Sequence, residues 1–323
     1  MNKQLIESHY DLFVLKLTLL DSHFGTDIYL LDTPEGRYIT KVMPLYFENV
    51  NTEGFVTEYL FDHGLKVARL LRSRDGNYVV KMNDFQFTIQ EYIEGETLAI
   101  NTAPEWFMEK SAEYLGRATF LLKDYNQLPI RFGKDFFSVE TAIKKKQLYE
   151  KELITAISSE NHEVIPLWEE QIRHLNRIAA FDINTDKLTY ANSHGDYHIG
   201  QIIVKNSDIT VIDWTSACRL PVCLDIITSY VFASPTCAEG AIDAEGLKKY
   251  IGSYAKYFPI TEYDIKAMPY VLYFWHCICN YRPDELSSIA QSYQPIANLV
   301  YSVLNWLYDH VEELVDELEG EKD

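Results

Sequence analysis

The stretch Ser193-His194-Gly195-Asp196-Tyr197-His198-Ile199-Gly200-Gln201-Ile202-Ile203-Val204, followed closely by Ile209-Thr210-Val211-Ile212-Asp213-Trp214, decides how the rest of this 323-residue chain is read. The first block is a turn carrying an acid and an amide that runs into an apolar, β-branched strand. The second is another strand with an acid at its end, and the polar turn Lys205-Asn206-Ser207-Asp208 joins the two. The pattern predicts a β-hairpin with its polar groups gathered at one end. An aspartate, a carboxamide five positions on and a second aspartate after the return strand suit a divalent cation and phosphate. Hard oxygen donors would hold Mg2+, and the first acid would stay free to take a proton from an attacking hydroxyl.

An acid-bearing hairpin is, by itself, most often only a turn. Here it coincides with further features. The run H-G-D-Y-H-x-x-Q followed by I-D-W resembles the catalytic and metal-binding segments of the aminoglycoside phosphotransferase and choline kinase family, the small-molecule relatives of protein kinases. In protein kinases the corresponding segments are H-R-D-x-x-x-x-N and D-F-G. The resemblance implies that Asp196 is the catalytic base and that Gln201 and Asp213 are the metal ligands. It implies ATP or GTP with Mg2+ as cofactors and a small-molecule hydroxyl as acceptor. The family has asparagine where this chain has Gln201, whose carbonyl sits on an arm one methylene longer. His194 and His198 read as loop-supporting residues rather than bases.

Upstream, a short helix over the first residues is followed by strands at Leu15–Leu20, Asp27–Asp32 and Arg37–Met43, with turns at Asp21–Thr26 and Thr33–Gly36. The first turn holds a single glycine and is no phosphate loop on its own. Lys41 lies in an apolar strand end, Tyr38-Ile39-Thr40-Lys41-Val42-Met43, where an unpaired ammonium would be costly to bury. This strand resembles the kinase V-A-I-K strand, whose lysine meets the phosphates. Residues 51–63 read as a helix capped by Asn51 or Thr52 and ended by Gly64. By the same resemblance, Glu53 rather than Glu58 is the glutamate that holds Lys41. Strands near 79–82 and 85–90 lead to Glu91-Tyr92-Ile93, which resembles the hinge whose backbone meets the adenine edge.

Beyond Gly95 the chain turns helical. Apolar spacing predicts helices over 104–124, two within 141–179 broken near Ser158–Asn161, and others over 244–256, 262–280, 284–291 and 294–318. The last carries Val300, Leu304, Leu307, Val311, Leu314 and Leu318, a stripe expected to pack on its own domain. The tail Glu319–Asp323 should fray. Lys144-Lys145-Lys146 reads as a solvated helix face. Leu220–Ile226 resembles the segment in which an aspartate supports the catalytic loop, and gives that structural role to Asp225.

The whole reads as an α+β, two-lobed, protein kinase-like fold. Residues 1–94 would form a nucleotide-binding lobe, an antiparallel sheet with one helix, and residues 95–323 a mainly helical catalytic and acceptor-binding lobe. A formal charge of −19 leaves no broad basic surface and argues against nucleic acid. An acidic surface suits a cationic acceptor, although many soluble chains are acidic without one. Five cysteines without metal-site spacing read as core residues in a reducing compartment. No apolar run nears the roughly 20 residues that span a bilayer, so a cytoplasmic protein, monomer or homodimer, is expected. A non-catalytic relative of the fold stays open. So does a kinase acting on protein, but residues 214–225 are too short for an activation segment with A-P-E.

Overall fold

The computed structural model describes residues 1–320 except 24, 48–49, 134, 280–281 and 283–293. The helix expected over 284–291 and the last three residues of the tail lie outside these. Helix α1 (Lys3–His9) is capped by Asn2, whose side chain accepts from the Leu5 N–H. It buries Ile6 against a small core with Tyr10, Val14, Leu31, Val80, Phe87 and Ile89. That core lies on a sheet of β1 (Lys16–His23), β2 (Thr26–Thr33), β3 (Gly36–Met43), β4 (Val80–Lys81) and β5 (Gln86–Glu91), in the order β1-β2-β3-β5-β4. Every pairing is antiparallel.

Two local expectations give way. The segment Asp21-Ser22-His23 is strand rather than turn, because a bulge between Leu19 and Asp21 lets the ladder continue to His23 opposite Thr26. Helix α2 (Val50–Asp62) starts one residue earlier than read, which puts Asn51 and Thr52 inside its first turn instead of at its cap. Gly64, at φ +78°, follows its end.

After the sheet, β6 (Glu96–Thr97) crosses to pair with β8 (Ile202–Lys205), which pairs in turn with β9 (Asp208–Val211). Asn206 and Ser207, both at positive φ, close that hairpin, the backbone a two-residue turn requires. A second ladder joins β7 (Tyr190–Ser193) to β10 (Cys218–Pro221). The helices α3 (Glu105–Leu122), α4 (Val139–Ser158), α5 (Ile165–Ile178), α7 (Ala244–Ala255), α8 (Glu262–Cys279) and α9 (Gln294–Glu319) follow the apolar spacing closely. The α9 stripe is buried from Val300 to Leu318, and α9 lies on α8.

The sequence reading omits α6 (Val222–Ala233), in which all twelve residues are buried. A helix covered on every side has no polar face and therefore no period to detect. Four cysteines are core residues as expected, but Cys279, at the end of α8, is exposed. Lys144 and Lys146 pair with Glu140 and Glu150 on the open face of α4. Among the described residues no helix is long and apolar enough to cross a membrane.

Candidate active site

The loop between β7 and β8 is shaped by one glycine and one buried carboxylate. Gly195 has φ +79°, and a Cβ there would stand 2.2 Å from the Ser216 carbonyl oxygen. Only glycine fits that turn. Asp225, in the first turn of α6, accepts from the Ser193 hydroxyl at 2.6 Å and from the Gly195 N–H at 3.0 Å. It thus ties down both sides of His194. Burial raises its pKa to about 6, against the pull of those two donors.

His194 is fully buried, and its Nε2 donates to the Ile212 carbonyl at 3.0 Å. Its ring lies 4.7 Å from that of Trp214 and 5.7 Å from that of Tyr197. Burial lowers its pKa to about 4, so it is a neutral strut between the loop and β9. His198 accepts from the Gly200 N–H through Nδ1, leaving Nε2–H 3.9 Å from Asp196. Burial likewise pushes its pKa to about 4.

Asp196 stands at the mouth of the cleft with 51% of its side chain exposed. Protein around it and the nearby Asp213 carboxylate raise its pKa to about 7; Gln201 opposes this by hydrogen-bonding to it, and solvent contact moderates the rise. Gln201 ends a single 3₁₀ turn (Ile199–Gln201) just before β8. With its amide donating to Asp196, its carbonyl oxygen is the end left for a cation.

Asp213 follows β9 with φ +60° and ψ +62°, a left-handed conformation that a non-glycine residue holds at a cost of about 1–3 kcal/mol. Its Oδ1 accepts from the Thr215 hydroxyl at 2.6 Å and lies 3.1 Å from Lys41 Nζ. Burial would raise its pKa, but Lys41 and Thr215 outweigh that and hold it at about 2. Lys41 leaves β3 opposite Ile28 and Thr88 and also lies 3.7 Å from Glu53 of α2. Burial alone would depress the ammonium; the two carboxylates win and raise it. Glu53 is 1% exposed and burial pushes its pKa up to about 7, with Lys41 opposing. Glu58, the rejected alternative, pairs with Arg72 on the surface.

The ammonium lies 3.1 Å from Asp213 and 3.7 Å from Glu53, contacts that an incoming phosphate oxygen can take over. Two carboxylates already hold this one ammonium, so a polyanion entering the cleft needs added positive charge. Among the described residues no three acidic, histidine or cysteine side chains form a complete metal shell. Asp213 and Gln201 supply two hard oxygens, which fits magnesium, an ion whose shell is commonly completed by phosphate and water.

Along β5, Thr88 beside Lys41 is three residues from Glu91, roughly 10 Å of strand. The Glu91 carboxylate is held by Arg69, with Nε at 3.1 Å. The Tyr92 ring lies under the Arg37 guanidinium at 4.1 Å, and Arg37 reaches Glu94 at 3.2 Å. Tyr92 and Ile93 share a surface recess with Ile203 and Thr210 of the hairpin. The structure therefore brings Lys41, Glu53 and Asp213 into contact and joins Asp196 to Gln201, with Glu91–Ile93 farther along the same sheet. Sequence reasoning missed Thr215 and Ser193, hydroxyls with no pattern to mark them, and Arg131, whose charge acts on Asp196 from a loop.

The comparisons with known proteins agree with this architecture. No curated protein matches the sequence. Amicoumacin kinase hAmiN, solved in complex with AMP-PNP, Ca2+ and Ami, superposes with a TM-score of 0.62 at 16% identity, over 97% of this chain and 94% of that one. Choline kinase from Cryptosporidium parvum Iowa II gives 0.62 at 14% identity, over 95% and 92%. The microcompartment-associated aminopropanol kinase gives 0.59 at 16%, over 97% of each chain. At such identities the likeness establishes the kinase-like α+β fold. The sequence signature of the phosphotransferase enzyme family matches residues 16–257, from the first sheet strand past the catalytic loop, and the chain belongs to that family.

Proposed function

We propose that this protein transfers the γ-phosphoryl group of ATP or GTP to a hydroxyl of a small molecule. The observation that carries the reading is the buried Lys41 clamped by Glu53 and Asp213, in a cleft shared with an aspartate whose pKa is poised near neutrality. A solved relative of the same fold in complex with AMP-PNP and Ca2+ supports the choice of nucleotide plus divalent cation.

On this reading the backbone of Glu91–Ile93 meets the base, and Lys41 turns from Asp213 toward the phosphate oxygens. Asp213 and Gln201 would hold magnesium, which when bound neutralises phosphate charge. Asp196 accepts the acceptor's hydroxyl proton as that oxygen forms its bond to the γ-phosphorus, and the bond from phosphorus to the β-phosphate bridge breaks as the nucleoside diphosphate leaves. His194 and Asp225 hold the loop without touching the reacting atoms. The lobe boundary falls at 94/95, where Gly95 has φ +142° and a Cβ would meet the Val204 carbonyl at 2.4 Å.

The test is a thermal-shift titration with ATP and GTP, each with and without Mg2+, on wild type and Asp213→Ala. Nucleotide at 100 times its Kd should add about 2.7 kcal/mol of stability. A magnesium-dependent shift that vanishes in the variant supports the reading. No shift with either nucleotide favours a degenerate relative, for which the longer arm of Gln201 would be the first cause to examine.

A further inference from the structure

Most arginines on this acidic chain have found a carboxylate: Arg69 holds Glu91, Arg72 holds Glu58 and Arg177 holds Glu312. Arg131 has none. It is half-buried, yet its side chain makes no ion pair and no hydrogen bond among the described residues. A half-buried cation within electrostatic reach of Asp196, whose own side-chain donors make no direct contact among the described residues, has donors left for an anion from outside.

Its position is built. The Arg131 N–H donates to the Arg219 carbonyl at 2.9 Å, and the Arg219 N–H donates to the Pro129 carbonyl at 2.8 Å. This lays residues 129–131 as an extra strip along β10, with Ile130 bridged to Arg219 on the solvent face. Alternation then sends Arg131 to the opposite face, that of Cys218. Cys218 pairs with Ser193, and its sulfur lies against Gly195 in the loop that bears Asp196. The next residue, Phe132, is held at φ +52°, an unfavourable backbone for a bulky side chain, with its carbonyl accepting from the Tyr190 hydroxyl at 3.0 Å. Its ring meets Phe136 at 4.8 Å and Trp275 at 6.3 Å, and the Trp275 indole N–H is buried without a partner.

We infer that Arg131 reads an anionic group on the acceptor, so that the hydroxyl compound phosphorylated here carries a carboxylate or a phosphate near its reacting oxygen. The inference rests on the phosphotransfer reading above and runs against the cationic acceptor that the overall charge suggests. The guanidinium is a specificity-determining group; the proton still passes to Asp196.

The experiment compares matched acceptors that share a hydroxyl and differ in charge: 4-hydroxybutyrate with its amide, glycerate with glyceramide, and glycerol 3-phosphate with glycerol. The amino alcohol 2-aminoethanol serves as the cation. Nucleoside diphosphate release is followed with wild type, Arg131→Gln and Arg131→Lys. The expected result is a preference for the anionic member of roughly tenfold or more in kcat/KM. Arg131→Gln should erase it through KM, and Arg131→Lys should restore part. The carboxylate and phosphate pairs separate the two anions. Equal or better use of neutral or cationic acceptors, or a preference that survives Arg131→Gln, overturns the inference and leaves phosphotransfer standing. If no acceptor turns over, calorimetric titration of the nucleotide-loaded protein with the same anions decides. Binding lost in Arg131→Gln supports the inference; no Arg131-dependent binding overturns it. The nucleotide thermal shift judges the broader reading separately.

Discussion

Asp196 and Asp213 share one cleft, yet their surroundings drive them apart, to about 7 and about 2. Such a split is how two like side chains take different tasks, one held as a permanent anion and one able to exchange a proton near neutral pH. A base must be deprotonated to act, so kcat/KM should rise with pH to a plateau above about 7. A profile flat from pH 5 to 8 would remove Asp196 from that role. Asp196→Asn should cost roughly 10²–10⁴-fold in kcat with nucleotide affinity nearly intact, measured by calorimetry beside turnover. The pairing of Lys41 with Glu53 was legible through the family resemblance, and an ammonium in an apolar strand demands an acid nearby; its contact with Asp213 was not read from the sequence. Arg131 was not legible, since a lone arginine in a loop carries no period and its lack of a partner is a property of three dimensions.

The elements divide by how they are covered. Half-buried strands and helices announce themselves through alternation or a stripe, so the sheet, α2 through α5 and α7 through α9 stand close to where spacing put them. α6 is covered on all sides and left no such signature, although it carries the residue that braces the loop. That residue gives a pH test. Asp225 has its folded-state pKa raised to about 6, so the folded protein takes up a proton before the unfolded chain does. Stability from this group is present at low pH and lost as pH rises through about 6. The Tm of wild type relative to Asp225→Asn should therefore increase as pH falls from 7 toward 4; a difference independent of pH would show that the carboxyl does not titrate. In α9, Leu307 is fully buried within the stripe. Leu307→Ala should cost about 2–5 kcal/mol in chemical denaturation, and a loss below about 1 would mean that α9 is only loosely held.

At the scale of the molecule, a formal charge of −19 on 323 residues is a standing self-repulsion. Salt should relieve it, so Tm at pH 7 should climb by roughly a few degrees from low to physiological ionic strength; a fall would mean that the surface ion pairs dominate. The order of sheet, crossing, helices and catalytic hairpin was readable because each segment advertises its own type. The contact of Phe132 with Trp275 was not, since the two come from parts of the chain that meet only after folding.

The β8–β9 hairpin has no free edge among the described residues. β6 occupies one side, and on the other Val67 bridges to Val211 while the Ala68 N–H donates to the Val211 carbonyl and the Val211 N–H to that of Lys66. One flanking segment, residues 66–68, lies between β3 and β4 of the five-stranded sheet, and the other, β6, follows β5. Both edges of the hairpin are therefore sewn to segments adjoining the five-stranded sheet. Amides of this doubly flanked hairpin should therefore be among the slowest to exchange in the molecule.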